Sequence, residues 1–285
     1  MQLLTVPNWS FSGREDLLGI FKEVLCFYHL SIHYLKGDVD HHRTVSAFSG
    51  QSDQILKALE EICIQVLPHI DLQLHQGVHP RLGALDVCPF IPVGSYDFEI
   101  LNLEVKHWAS RFAEKFQIPV FLYEQSSTPH LLLPDIRKSM MQGNWKNGFR
   151  PDYGPEDPHP KWGVMVTGIR DFLIAMNVNL ETINKESAQM IASFIRRARE
   201  NKEIWATGVR ALAFGLQSKN LMQVSMNLTR PDATHPDQII NKIFEVCHQI
   251  GVKVHNTELI GIIRKKDIPF STLLPIDPNQ IIDLD

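Results

Sequence analysis

Cysteine is scarce in this 285-residue sequence: Cys26, Cys63, Cys88 and Cys247 lie far apart among apolar neighbours, with no CxxC pair. That scatter excludes a disulfide framework or a structural zinc ribbon and points to buried thiols in a reducing, cytoplasmic setting. Long apolar runs are also missing. None approaches the roughly 18 residues of a membrane span, and the opening MQLLTVPNW lacks the basic-then-apolar order of a secretion signal, so neither a membrane nor export is expected. Nor does one sign of charge dominate: Lys and Arg number 28 against 32 Asp and Glu, for a net charge of −4. The basic residues are dispersed, with Arg196-Arg197 and Arg264-Lys265-Lys266 the densest clusters, so no nucleic-acid partner is expected. The motifs GxGxxG, GxxxxGK[ST], GxSxG and HExxH are absent, which removes the main support for nucleotide, serine-hydrolase and metalloprotease readings.

Histidine, by contrast, is plentiful, with 13 residues. No metal is expected from them. His29 and His33 straddle a helix–strand junction, and His75 and His79 bracket Gly77 and precede Pro80, so neither pair shares a helical face. His41-His42, beside Asp38 and Asp40, reads as a turn or a substrate-binding loop.

Hydrophobic residues make up 44% of the chain, enough to fill a sizeable core. Leu17, Phe21, Val24 and Tyr28 recur at helical spacing after a Ser12/Glu15 capping box, predicting a helix over 13–28. Strands are expected at 31–36 and 44–49, a helix on Ile55, Leu59, Ile62 and Val66, and a strand over Ala84–Val93. A helix on Phe98 to Phe116 and a strand in IPVFLYE from Ile118 follow. Beyond 163 the reading is strand 164–180, helix 185–200, strands 205–217 and 220–229, a helix begun by a Thr234/Asp237 capping box, and strand 252–263. That order is βαββαβ, a split ferredoxin-like plait. The expected fold class is therefore α/β (α+β) in two lobes, residues 1–172 and 173–285, each a β-sheet with helices packed on it.

Two stretches stand out chemically. His75 to Val93 reads HQGVHPRLGALDVCPFIPV, in which Pro80 fixes its own φ and keeps His79 out of helical geometry, placing the imidazole on a stiff loop before an apolar strand. An imidazole held this way suits proton transfer near neutral pH, and an ordinary turn residue is the competing reading. Asp86 could orient the ring or simply be a satisfied residue at a strand start. Arg43 and Arg81 could hold a carboxylate through bidentate bonds or form structural ion pairs. The second stretch, between 126 and 161, is rich in Pro, Gly and Asn. Its neighbourhood includes Trp145, Phe149, Tyr153 and Trp162, whose burial favours an ordered binding loop over a linker. Trp162 could stack on a flat ligand or anchor the core.

Several stretches together resemble the formiminotransferase family, the glutamate formimidoyltransferases and the matching part of the animal formiminotransferase-cyclodeaminases. They are VPNWSFSGR, DVDHHRTV, GVHPRLGALDVCPFIPV, IPVFLYE, PDYGP with HPKWGVMVTGIRDFLIAMNVNL, NLMQVSMNLT and ELIGII, spread over nearly the whole chain. The resemblance implies transfer of a formimino group between 5-formiminotetrahydrofolate and L-glutamate in histidine degradation and one-carbon metabolism. Tetrahydrofolate would serve as carrier and no metal would be needed. Formyl transfer from 5-formyltetrahydrofolate, or folate binding without catalysis, remain the alternatives. The family's catalytic His in HPRxG falls on His79. Its folate-binding loop falls on Gly154, Pro155, Glu156, Asp157 and Pro158, continuing through His159, Pro160, Lys161, Trp162 and Gly163. A cytoplasmic homodimer with folate in a cleft between the lobes is what the family implies. Two departures are visible: VPNWSFSGR has one extra residue and no Glu where the family carries SEGR, and Arg264 replaces the family's Pro after its LVGLV-type strand, which reads as an edge or loop variation.

Overall fold

The computed structural model describes residues 1–143 and 149–284, so Trp145 lies outside the described residues. Two compact units are seen, Met1–Arg170 with Leu284, and Asp171–Asp283. The first runs β1 (Gln2–Thr5), β2 (Asn8–Trp9), α1 (Glu15–Phe27), β3 (Ser31–Asp38), β4 (Arg43–Gln51) and α2 (Ser52–Val66). It continues with β5 (Leu85–Pro92), α3 (Phe98–Phe116), β6 (Val120–Leu122), α4 (Leu133–Met141) and β7 (Met165–Ile169). β3 pairs with β4; β1 and β2 both lie between β4 and β5, and β7 and β6 complete the sheet. The pairings from β3 to β5 are antiparallel, whereas β5–β7 and β7–β6 are parallel.

α1, α2 and α3 each bury a helical stripe, and those stripes meet Trp9, Phe48 and Phe90 of the sheet in one core. Trp9 stands edge-on to Phe21 at 5.0 Å, and each such fully buried side chain contributes about 1.5–3 kcal/mol. Along the strands Val87, Phe121 and Val166 alternate with members of that core. They therefore point to the sheet's other face, where they pack with Ile136 of α4.

The second unit runs β8 (Ile174–Leu180), α5 (Lys185–Glu200), β9 (Val209–Leu216), β10 (Leu221–Leu228), α6 (Pro236–Gln249) and β11 (Val254–Ile260). Its antiparallel order β11-β8-β10-β9 is the expected plait. A short parallel pair, β12 (Ile263–Arg264) and β13 (Ile281–Ile282), follows.

Several local expectations need correction. Residues 164–180 form two strands, not one, because the charged pair Arg170-Asp171 interrupts the apolar run and β7 and β8 join different sheets. α1 starts after Arg14, which gives no side-chain cap; Arg14 pairs instead with Asp16 at 2.6 Å. Thr234 does not cap α6: its hydroxyl donates to the Ile204 and Thr207 carbonyls, and Gln238 Oε1 accepts from the His235 N–H one residue later. The Pro-rich stretch holds α4, entered through Pro134, so it is not loop throughout. Arg264 is more than an edge or loop variation. Its side chain is buried, pairs with Asp267 at 2.6 Å and Asp232 at 3.0 Å, and lies 5.1 Å from the Phe172 ring centre.

Candidate functional site

The loop carrying His79 is wired on three sides. Toward the β3–β4 turn, Val78 N–H donates to Asp40 O at 3.2 Å and Arg81 Nη2 donates to His41 O. A Cβ on Gly77 would stand 2.2 Å from that same His41 oxygen, which explains the glycine. Toward the N-terminal strand, Ser10 Oγ donates to Gly83 O at 2.6 Å, Ser10 N–H to Ala84 O at 2.8 Å, and Arg81 Nη1 reaches Trp9 O at 3.4 Å. The segment VPNWSFSGR thus supports the loop directly. Toward β7, Val164 N–H donates to Leu82 O and Ala84 N–H to Trp162 O, both at 2.9 Å, with Gly83 bridged to Gly163. Such close backbone approach tolerates no side chain: a Cβ on Gly83 would lie 1.8 Å from Val164 O, and one on Gly163, where φ is +64°, 2.0 Å from Leu82 O. Leu82–Ala84, directly after HPR, and Trp162–Val164, carrying WG, are therefore joined by a short antiparallel bridge although His79 and Trp162 lie 83 residues apart.

A β-bulge aims Asp86. Asn8 pairs with Val87 but Trp9 with Leu85, so Asp86 is the extra residue, and Leu85 and Val87 consequently face opposite cores. Asp86 is 1% exposed; one oxygen accepts from Leu82 N at 2.6 Å and Gly83 N at 3.3 Å, and the other from Arg137 Nη2 at 2.7 Å. Asp86 is thus the satisfied strand-start residue, ordering the loop on which the imidazole sits.

His79 Nδ1 lies 2.9 Å from Pro80 O. A carbonyl can only accept, so Nδ1 carries the hydrogen and Nε2 the lone pair. Burial, then the Arg43, Arg137 and Arg81 guanidiniums, hold this imidazole well below the usual histidine range, so it is neutral at pH 7. The His41 ring stands 5.9 Å away at 65°, and His42 stacks on His75 at 4.4 Å. Burial lowers His42 as well and pulls His75 down to about 4. Arg81 is drawn down to about 9 by burial, with Asp86 pulling the other way, and stays cationic at neutral pH. Buried polar atoms without a partner concentrate here: Arg43 Nε, Arg81 Nε, Arg137 Nε and Trp162 Nε1. A buried polar group left unpaired costs a fold about 1–3 kcal/mol. Among the described residues no group of three or more His, Cys, Asp or Glu converges as a metal-ligand set.

The stretch from Gly154 to Gly163 divides in two. Its first half is a surface loop: Glu156 pairs with Arg150 at 2.9 Å, Asp157 is exposed, and Pro155 and Pro158 are half-buried. Gly154 turns at φ +85° beneath Ile118. The second half is a closed turn in which His159 and Gly163 exchange both backbone bonds, at 2.9 and 2.8 Å. His159 Nδ1 accepts from the Lys161 and Trp162 amides, and its ring stacks on Trp162 at 4.3 Å. Trp162 packs against the main core. Pro160 O accepts from Gln73, and Lys161 sits 4.0 Å from Asp71 at the surface. Phe149 stacks on Phe121 at 5.2 Å and Tyr153 exchanges backbone bonds with Val120, so these aromatics do tie the stretch down.

A family model described as "Formiminotransferase domain, N-terminal subdomain" matches residues 2–170, and one described as "Formiminotransferase domain" matches 175–274. The chain belongs to the formiminotransferase family. A formimidoyltransferase-cyclodeaminase of Mus musculus is 33% identical over 98% of this chain and 53% of its own length. Glutamate formimidoyltransferases of Streptococcus pyogenes and Thermoplasma acidophilum are each 30% identical over 90% of this chain, covering 87% and 86% of their own lengths. The chain spans about half the length of the animal relatives it matches. Within this formiminotransferase chain, the structure brings His79, Arg43 and Arg81 into one electrostatic group and laces Trp162 and Gly163 to the same loop. Glu156 and Asp157 stay at the surface. Sequence reasoning missed Ser10, His75 and Arg137 as parts of the group. Ser10 sits in the quoted VPNWSFSGR motif and His75 opens the quoted HPR stretch; nothing around Arg137 signalled that α4 would present it to Asp86.

Proposed function

We propose that this chain is a glutamate formimidoyltransferase, moving the formimino group between 5-formiminotetrahydrofolate and L-glutamate, with His79 as general base and acid. One observation carries the reading: a neutral imidazole whose Nε2 bears the lone pair, on a rigid loop among three guanidiniums, within a chain of this family. The glutamate amine is protonated at neutral pH. His79 Nε2 takes a proton from it, the freed nitrogen bonds to the formimino carbon, and a tetrahedral intermediate forms. Its collapse breaks the carbon–N5 bond while the imidazolium returns the proton to N5, giving tetrahydrofolate and formiminoglutamate. Proton transfer of this kind is worth about 10²–10⁴-fold, and positioning supplies the remainder. Arg43 and Arg81 are cations at neutral pH suited to a substrate carboxylate. The turn Gly154–Gly163 is assigned to folate, with its anchored end fixing the exposed Pro-rich half. Tetrahydrofolate is the carrier. Cys63, Cys88 and Cys247 are buried thiols as expected, whereas Cys26 is exposed and corrects that expectation; a cytoplasmic setting and a homodimer are proposed on family grounds. Among the described residues no helix is long and apolar enough to cross a membrane.

The test is direct. Purified protein incubated with 5-formiminotetrahydrofolate and glutamate is expected to yield formiminoglutamate by mass spectrometry; absence of product alongside measurable folate binding would overturn the enzyme reading in favour of a folate-binding protein.

A further inference from the structure

Asp86 and Arg137 come from opposite ends of the first unit's sequence logic. One is the bulge residue of β5; the other belongs to a helix inside the Pro-rich stretch. Their ion pair is part-buried, with side-chain exposures of 1% and 18%. Ile136, fully buried against Val87, Phe121 and Val166, fixes the register of α4, so its neighbour Arg137 has little freedom to leave. The Asp86 carboxylate simultaneously holds the Leu82 and Gly83 amides, three and four residues beyond the imidazole. A rigid path therefore joins α4 to the His79 loop: guanidinium, carboxylate, backbone.

We infer that Arg137 is a positioning residue for His79: its ion pair with Asp86 locks the loop that carries the imidazole, and its charge keeps the imidazole's surroundings cationic. This rests on the reading of His79 given above. Among the described residues, the groups facing His79 include Arg43 on β4, His41 on the β3–β4 turn, Arg81 and the Pro80 carbonyl on its own loop, and Arg137 on α4. Asp38 and Asp86 act on Arg81 and Arg43, so carboxylates temper the field without cancelling it. An imidazole in such surroundings stays unprotonated in the free enzyme. A substrate carboxylate entering among the arginines adds the missing negative charge and makes Nε2 a stronger base at the moment a proton is presented.

The titration of the His79 ring, followed by NMR on isotope-labelled protein and assigned through His79→Gln, tests this without turnover. Removing one cation in Arg137→Met is expected to raise the His79 pKa by about half a unit or more. Arg137→Lys keeps the charge and is expected to leave that pKa near wild type, while losing the planar fork lowers kcat roughly tenfold with KM for folate within about threefold. An unmoved His79 titration in folded Arg137→Met would overturn the inference. So would wild-type kcat in Arg137→Lys and in Asp86→Asn, which carry the test should Arg137→Met not fold. If the wild-type protein shows no transfer at all, the proposed function fails, and the ring titration still decides the placement of Arg137.

Discussion

Burial gives the histidines of the site a pH dependence with a definite sign. In the unfolded chain a histidine titrates near 6.5, whereas folded His75 sits at about 4 and His79 well below its ordinary value. Below pH 6.5 the unfolded state therefore binds more protons than the folded one. Stability is full above that pH and is lost as pH falls through the window toward 4. Urea midpoints are expected to fall between pH 7.5 and pH 5, and His75→Gln to flatten that fall; parallel profiles for the two proteins would remove His75 from the account. The setting of His79 on a constrained loop was legible in the residues themselves, because Pro80 and the flanking glycines constrain the backbone locally. Arg137 and Ser10 were not legible. Their significance comes from partners 51 and 73 residues away in number, Asp86 and Gly83, and pairing at that separation depends on the sheet's register.

At the scale of elements, the contact between the HPR and WG segments rests on glycine. With φ at +64° and Leu82 O only 2.0 Å from where a Cβ would be, Gly163→Ala combines backbone strain with a clash against main chain that has no flexible end to give. The variant is expected to lose about 2–3 kcal/mol in urea unfolding and most of its activity. An unchanged midpoint would mean that the ladder is not held as described. Helical periodicity placed α1, α2, α3, α5 and α6 well, since their buried stripes are regular. Caps were less readable: Ser12 and Thr234 have the right chemistry, but tertiary partners took Thr234, and the chain turns at Gly13, φ +65°, so that α1 starts after Arg14. The strand over 164–180 was misread because its apolar character is continuous apart from Arg170-Asp171, and hydrophobicity does not say where one sheet ends and another begins.

For the whole molecule, two units with their own cores imply that a lesion in one need not loosen the other. Arg264 offers the cleanest probe, because its two carboxylate partners, Asp232 and Asp267, and the Phe172 ring all lie in the second unit. Asp267→Ala leaves a buried guanidinium with half its compensation and is expected to cost about 3 kcal/mol. Hydrogen exchange should quicken in β8 to β11 and leave β4 and β5 protected; uniform loss of protection would show a single cooperative body instead. The βαββαβ order was readable from periodicity alone, whereas the buried role of Arg264 was not, because a charged residue after a strand ordinarily reads as exposed.

In the proposed reaction the imidazole of His79 moves the proton while other groups bind the folate. Wild-type protein and His79→Ala, compared in single-turnover conversion of 5-formiminotetrahydrofolate with glutamate and in direct folate binding, address it together. Formiminoglutamate is expected from the wild type, with loss of turnover by about 10²-fold or more in His79→Ala and folate affinity unchanged within a few-fold. Undiminished turnover in His79→Ala would contradict it.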